Sequence, residues 1–206
     1  MWISPLVISG HLLRLEPLEL RHAPDLFAAA DPELFRHTPQ QPPVWSVAGF
    51  ELEIAKVNAF PNVVALAVIL QSTNQAIGRS TYMEIAPAHR AVEIGRTWIA
   101  RPHHGTRINP ELKFLMLRHA FETLDPPAIR VQLTTGGTNL HSQAAIAKLG
   151  ATSEGTLRHN RIVPSGPDPA GPTMRRDTVF YSILLDEWPR VKLGLLARMG
   201  HSGPLP

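Results

Sequence analysis

The chain has 206 residues, 44% hydrophobic and 18% charged, which is ordinary for a globular protein and enough to bury a substantial core. It contains no cysteine, which excludes disulfides, thiolate catalysis and cysteine-based metal sites and suits a reducing interior. The formal net charge of +3 is scattered, with no Lys/Arg cluster interleaved with aromatics, so direct nucleic-acid binding has little support.

Met1 to Gly10 lacks a cationic segment followed by an apolar one, so no secretory signal is expected. His11 to Leu18 alternates and predicts an opening strand, and Leu20 to Ala30 a short amphipathic helix ended by Asp31-Pro32. Pro39 to Val44 reads as a proline-rich loop. Ser46 is a good N-cap for a helix running to about Asn58. Val63 to Leu70, the longest apolar run, is too short to span a bilayer and predicts a buried strand. A turn at 72–74 joins it to a strand from Ala76 to Ile85, and Glu93 to Ala100 adds a third strand.

Next come a Gly-bearing turn (His103 to Asn109), a long helix (Pro110 to Leu124), a strand (Ala128 to Thr135) and a short helix (Leu140 to Leu149). Thr152 to Ile162 and Asp177 to Leu184 predict a last antiparallel pair around the Pro/Gly-rich connection Val163 to Arg176. Leu185 to Met199 reads as a C-terminal helix, with a loose tail from Gly200. The order βααβββαβαββα predicts one domain of α+β class, with helices on a mostly antiparallel sheet of about seven strands. A soluble, cytoplasmic protein with no membrane span is expected.

The turn His104-Gly105-Thr106-Arg107-Ile108-Asn109 runs into a helix whose cap is predicted at Asn109, with Pro110 in the first helical position. Such a turn leaves N–H groups at the positive end of a helix dipole, a seat for a pyrophosphate. Alone, it is more simply a capped strand-to-helix connection. Asn139 is a plausible cap for the next helix, with Leu140, Ala144 and Ala147 facing inward and Gly150 at a left-handed end. Ser142, one turn in, could donate to a leaving thiolate or to cofactor amides, or be a solvated helix serine. On strand 93–100, alternation puts Val92, Ile94 and Trp98 on one face, and Glu93, Gly95 and Thr97 on the other. Glu93, with Glu84 as a second candidate, could deprotonate an amine, although a surface or paired glutamate is the simpler reading of each alone. His103 and His104 lack companions at ligand spacing, so no metal site is predicted.

Together these segments resemble the GNAT superfamily of acyl-CoA N-acyltransferases, in particular its RimJ/RimL-like branch, which includes ribosomal-protein N-terminal acetyltransferases. The resemblance rests on Glu93 to Ile99, His104 to Asn109, Glu111 to Glu122, Thr138 to Ala151 and Glu154-Gly155. The opening Gly10 to Leu18, Arg176 to Thr178 and Asp186 to Pro189 add to it. It implies acetyl-CoA as cosubstrate, with no metal: pyrophosphate on His104, Gly105, Thr106, Arg107, Ile108 and Asn109, pantetheine along Trp98 and Ile99, and further contacts from Asn139 and Ser142. It implies direct attack of an amine, small molecule or protein N-terminus, on the thioester. The alternative on the same fold is a CoA-binding or protein-interaction module without catalysis. Two departures stand out. Arg107 and Asn109 occupy positions where the superfamily turn usually carries Gly, and Ile146 aligns with the tyrosine many members use as acid, which makes Ser142 the substitute. By the same analogy, helix Ser46 to Asn58 and the connection Val163 to Arg176 border the acceptor pocket. Quaternary state is open, with a homodimer among the options.

Overall fold

The computed structural model describes residues 2–35, 41–165 and 171–200. Its strands are β1 (Ile8–Ser9), β2 (Leu13–Pro17), β3 (Val64–Leu70), β4 (Gln75–Ala86), β5 (Ala91–Ile99), β6 (Arg130–Gly136), β7 (Thr152–Pro164) and β8 (Thr173–Leu184). Its α-helices are α1 (Ala23–Ala29), α2 (Val47–Asn58), α3 (Ile108–Arg118), α4 (Leu140–Ala147) and α5 (Trp188–Arg198). All eight strands join one sheet in the order β1-β2-β3-β4-β5-β6-β8-β7. The strand beyond the seven expected is β1, two residues long and too short to carry a periodic signal. Of the predicted loop 39–44, residues 39 and 40 lie outside the described residues, as do 166–170 of the late connection and the tail from 201.

The continuous apolar run of β3 follows from burial on both faces. Val64, Leu66 and Val68 join a core with Leu112 and Leu115 of α3 and Val191 and Leu195 of α5. Ala65, Ala67 and Ile69 join a second core with Leu26 of α1 and Phe50 and Ile54 of α2. A strand covered on both sides needs no polar alternation. Helix α2 starts where expected, with Ser46 Oγ accepting from Gly49 N at 3.1 Å.

Strand β5 breaks the simple alternation. Val92 and Ile94 stay in the core under α3, but Trp98 lies on the opposite face against Phe35 and Phe50. The cause is a β-bulge. Thr81 pairs with Gly95 and Arg79 with Trp98, so one extra residue fits into β5, and Arg96 sits at φ 51°. That residue reverses the side-chain alternation beyond it.

Strands β5 and β6 form the one parallel pair in the sheet, from Ala91 with Arg130 to Glu93 with Gln132. Beyond that point they part. Strand β5 continues along β4 to Ile99, while β6 continues along β8 to Gly136. The sheet therefore splays into a wedge, and α3 and α4 stand at its sides.

Both helices differ in detail from expectation. Helix α3 starts at Ile108, ahead of the predicted Asn109 cap. The Thr106 hydroxyl accepts from Ile108 N at 3.3 Å and donates to His103 O at 2.7 Å, which closes the first turn early and draws Asn109 inside it. Glu111, in that first turn, accepts from Leu12 N and Leu13 N at 2.7 and 3.0 Å and ties the helix start to β2. A side chain at Gly10 would collide with that carboxylate. Helix α4 has the expected cap, Asn139 Oδ1 accepting from Ser142 N at 3.1 Å, and Gly150 follows it at φ 90°. Its inward face is not the predicted one. Leu140 is 71% exposed, and Ala144 and Ala147 are also exposed, while Ile146 and Leu149 are buried. The helix lies across the wedge, so Ser142, Ala145, Ile146 and Leu149 turn toward the cavity, and Ala144 of the expected set also borders it.

Candidate active site

The wedge encloses a cavity of about 810 Å³ walled by β5, β6, α4 and the start of α3. At its turn end, Gly105 has φ 74°, the left-handed region that favours glycine, and an added Cβ there would meet nothing within 4 Å. Among the described residues, the N–H groups of Gly105, Thr106 and Arg107 have no acceptor. They stand at the positive end of α3, as a site for an anion requires. A smaller hollow of about 420 Å³ opens beside them, lined by Gly105, Thr106, Arg107, Pro110 and Arg198. Arg107 does not close over the turn: its Nη1 reaches Met199 O at 3.4 Å, at the end of α5. His104 Nε2 donates to Ile99 O at 2.7 Å and its ring stacks on His141 at 6.2 Å, which fastens the turn to β5 and to α4.

Midway along the wedge, Ser142, Ile146, Trp98 and Ile99 all border the cavity, as does Asn139 at the head of α4. Glu93 is 3% exposed, with Oε2 accepting from Gln132 Nε2 at 2.8 Å and Oε1 from Thr134 Oγ1 at 2.7 Å. It sits where the two strands part. Glu84, the second carboxylate singled out in the sequence, is exposed at a positive-φ position of β4 and is not on the cavity wall. It falls where the β4–β5 register shifts, between Met83 and Ala86, outside the regular ladder that lines the wedge.

Several residues on this wall carry no signal in the sequence. Lys113 of α3 is buried, and its Nζ donates to Thr97 Oγ1 at 2.8 Å. Burial lowers its pKa from 10.5 to about 7. At the far end, Arg79, Arg96, Arg161 and Arg176 border the cavity. Arg79 is buried and ion-paired with Glu53 of α2 at 2.5 Å. Burial pushes the Glu53 carboxyl up, against the pull of Arg79. Arg96 lies 4.6 Å over the Phe60 ring. Burial, then Arg79, pull the Arg96 guanidinium below its ordinary pKa.

A family model for the acetyltransferase (GNAT) domain matches residues 13–152. The chain belongs to the GNAT acetyltransferase family. Solved structures agree. A protein of T. thermophilus assigned as an acetyltransferase is 37% identical, with 97% of this chain and 100% of that one covered, at TM-score 0.85. A GCN5-related N-acetyltransferase from Brucella melitensis is 26% identical over 99% of this chain and 88% of that one, at TM-score 0.86. RimJ of Mycobacterium smegmatis, solved in complex with CoA-disulfide, shares the fold at 22% identity and TM-score 0.72, with 96% and 94% covered. No match was found among curated proteins. A GNAT acetyltransferase has to bring an acyl donor and an acceptor together, and the wedge supplies one space with two chemically different ends. No helix among the described residues is long and apolar enough to cross a membrane.

Proposed function

We propose that this GNAT protein takes acetyl-CoA and acetylates a primary amine, of a small molecule or a protein N-terminus, within the RimJ/RimL-like branch. The observation that carries the reading is the set of unpartnered N–H groups at Gly105, Thr106 and Arg107, opening into the wedge where β5 and β6 part. Acetyl-CoA supplies an activated acetyl thioester. The turn amides would hold its diphosphate, with Arg107, Arg198 and Lys148 nearby to offset the charge. The edge of β5 from Ile94 to Ile99, released from β6, offers main-chain partners to the pantetheine amides. Holding the amine beside the acetyl carbon accounts for much of the rate. In the transfer itself, the amine nitrogen bonds to the carbonyl carbon and the carbon–sulfur bond breaks. Glu93 takes a proton from the amine through a water, and the Ser142 hydroxyl donates to the departing sulfur.

The test is detection of released CoA across a panel of amines, with acetyl-CoA binding followed by calorimetry. Amine-dependent release supports transfer. Binding without release indicates a CoA-binding module instead, and no binding at millimolar ligand ends the proposal.

A further inference from the structure

The far end of the wedge carries more positive charge than delivery of a neutral amine requires. Four guanidinium groups border it, those of Arg79, Arg96, Arg161 and Arg176, while the carboxylates of Glu33 and Glu93 lie on the cavity wall and that of Glu53 sits behind it on Arg79. Glu53 is committed to Arg79, and Glu93, whose partners Gln132 and Thr134 are neutral, offsets Arg96 and Arg176 across the cavity without an ion-pair contact to either. Among the described residues, no carboxylate lies within salt-bridge distance of Arg96 or Arg161. Arg96 Nε and Nη1 are buried without a hydrogen-bond partner among those residues, while the flat face of the group rests on Phe60. Buried N–H groups of a cation left unpaired are costly, and the ligand that relieves them is an anion.

Burial, then the charges of Arg79 and Arg161, hold the Arg96 guanidinium below its ordinary pKa, and burial with Arg161 does the same to Arg176. The positions of these residues are fixed by separate strands. Arg161 on β7 stands opposite Arg176 on β8 in the ladder, and Arg96 occupies the bulge of β5. The bulge is what brings Arg96 out of the sheet's regular alternation at the point where β6 has already turned away. Arg79 and Arg96 contact Glu53 and Phe60 on the α2 side of the sheet, whereas the turn amides open α3 on the other side, so the arginines do not duplicate the diphosphate seat. A planar carboxylate is the anion whose two oxygens match a guanidinium fork.

We propose that the amine acceptor carries a carboxylate, which Arg96 and Arg161 bind at the far end of the wedge with Arg176 beside them. The proposal rests on the reading of the wedge as a site of acetyl transfer to an amine. The carboxylate would anchor the acceptor on the arginines and leave its amine directed at Glu93 and the thioester. Arg79, neutralised by Glu53, serves as a positioning residue beneath them.

The experiment offers one series of amines, amino acids of increasing chain length, in three forms: free acid, carboxamide and the matching aminoalkyl phosphate. CoA release gives kcat/KM for each. The acids are expected to exceed their amides by roughly tenfold or more, the worth of one charge-assisted hydrogen bond. Arg96→Gln is expected to bring that ratio toward one. Arg161→Gln, at an exposed strand position where folding is not at risk, is expected to lower it as well. Amides that match the acids, phosphates that surpass them, or a ratio unchanged in both variants would overturn the proposal. A calorimetric titration of glutarate and of its diamide, in the presence of CoA, needs no turnover. Glutarate binding that is lost in Arg96→Gln supports the anion site, and equal or absent binding of the two probes overturns it. Failure of every amine to release CoA counts against acetyl transfer, and the titration then decides the anion site by itself.

Discussion

The turn end of the wedge is built from main chain and the far end from side chains, and the two ends depend on the sequence in different ways. At the turn, Gly105, Thr106 and Arg107 contribute N–H groups that any residue would provide, so what matters is conformation: φ 74° at Gly105 and a helix starting at Ile108. At the far end, Arg79, Arg96, Arg161 and Arg176 contribute guanidinium groups from four strands, held by a buried ion pair and a bulge. Strain should therefore damage the first end, and loss of charge the second.

The largest effect expected is on the side-chain end. Glu53→Ala leaves the Arg79 charge buried without its partner and should cost about 3–5 kcal/mol of stability in denaturant unfolding. An unchanged midpoint would show that Arg79 is not held as described. Between the two ends stands Lys113, whose folded pKa of about 7 lies below its ordinary 10.5. Between those values the unfolded chain binds a proton that the folded chain does not, so stability rises with pH across that window and the penalty is complete below it. Lys113→Met should abolish that rise and add on the order of 5 kcal/mol below neutral pH. Unfolding curves that keep the same slope in the variant would exclude a depressed lysine.

Ser142→Ala tests the middle of the wedge. It should lower kcat about 100-fold, the scale of a lost general acid, with little change in acetyl-CoA affinity. Equal losses in both would reassign Ser142 to binding. The smallest effect is at the turn, where Gly105→Ala meets open space but an unfavourable backbone conformation costing about 1–2 kcal/mol. Acetyl-CoA affinity should fall while any preference among acceptors stays the same. A change in acceptor preference with intact CoA affinity would break the distinction between the ends.

The same contrast explains what can be read from the sequence. The turn end is legible because its parts are contiguous: Gly105, Thr106 and the helix that follows, then Asn139 as the cap of α4 with Ser142 one turn in. Even there, Thr106 displaces Asn109 as the group nearest the first helical N–H, a competition that spacing alone does not decide. The far end is not legible. Glu53, Arg79, Arg96, Arg161 and Arg176 come from α2, β4, β5, β7 and β8 and share no spacing, so only the sheet order brings them together. Of the helix Ser46 to Asn58 and the connection Val163 to Arg176, expected beside the acceptor pocket by family likeness, only Arg176 lines the cavity among the described residues, and Glu53 reaches it through Arg79. The bulge falls at Gly95-Arg96, and the isolated glycine is the one sequence signal for it; simple alternation ignores that signal and puts Trp98 on the wrong face. Lys113 looks like any helix-surface lysine until the burial of α3 is known. Glu93 and Glu84 are equivalent as sequence and separate only when the splay places one on the cavity wall.

The most direct measurement follows the backbone amide resonances of isotope-labelled protein as acetyl-CoA is added. If the diphosphate sits on the main chain at the start of α3, the amides of Gly105, Thr106 and Arg107 move most and saturate together with the calorimetric affinity. Saturable binding that leaves those three amides unmoved, with the largest shifts elsewhere, would contradict the account.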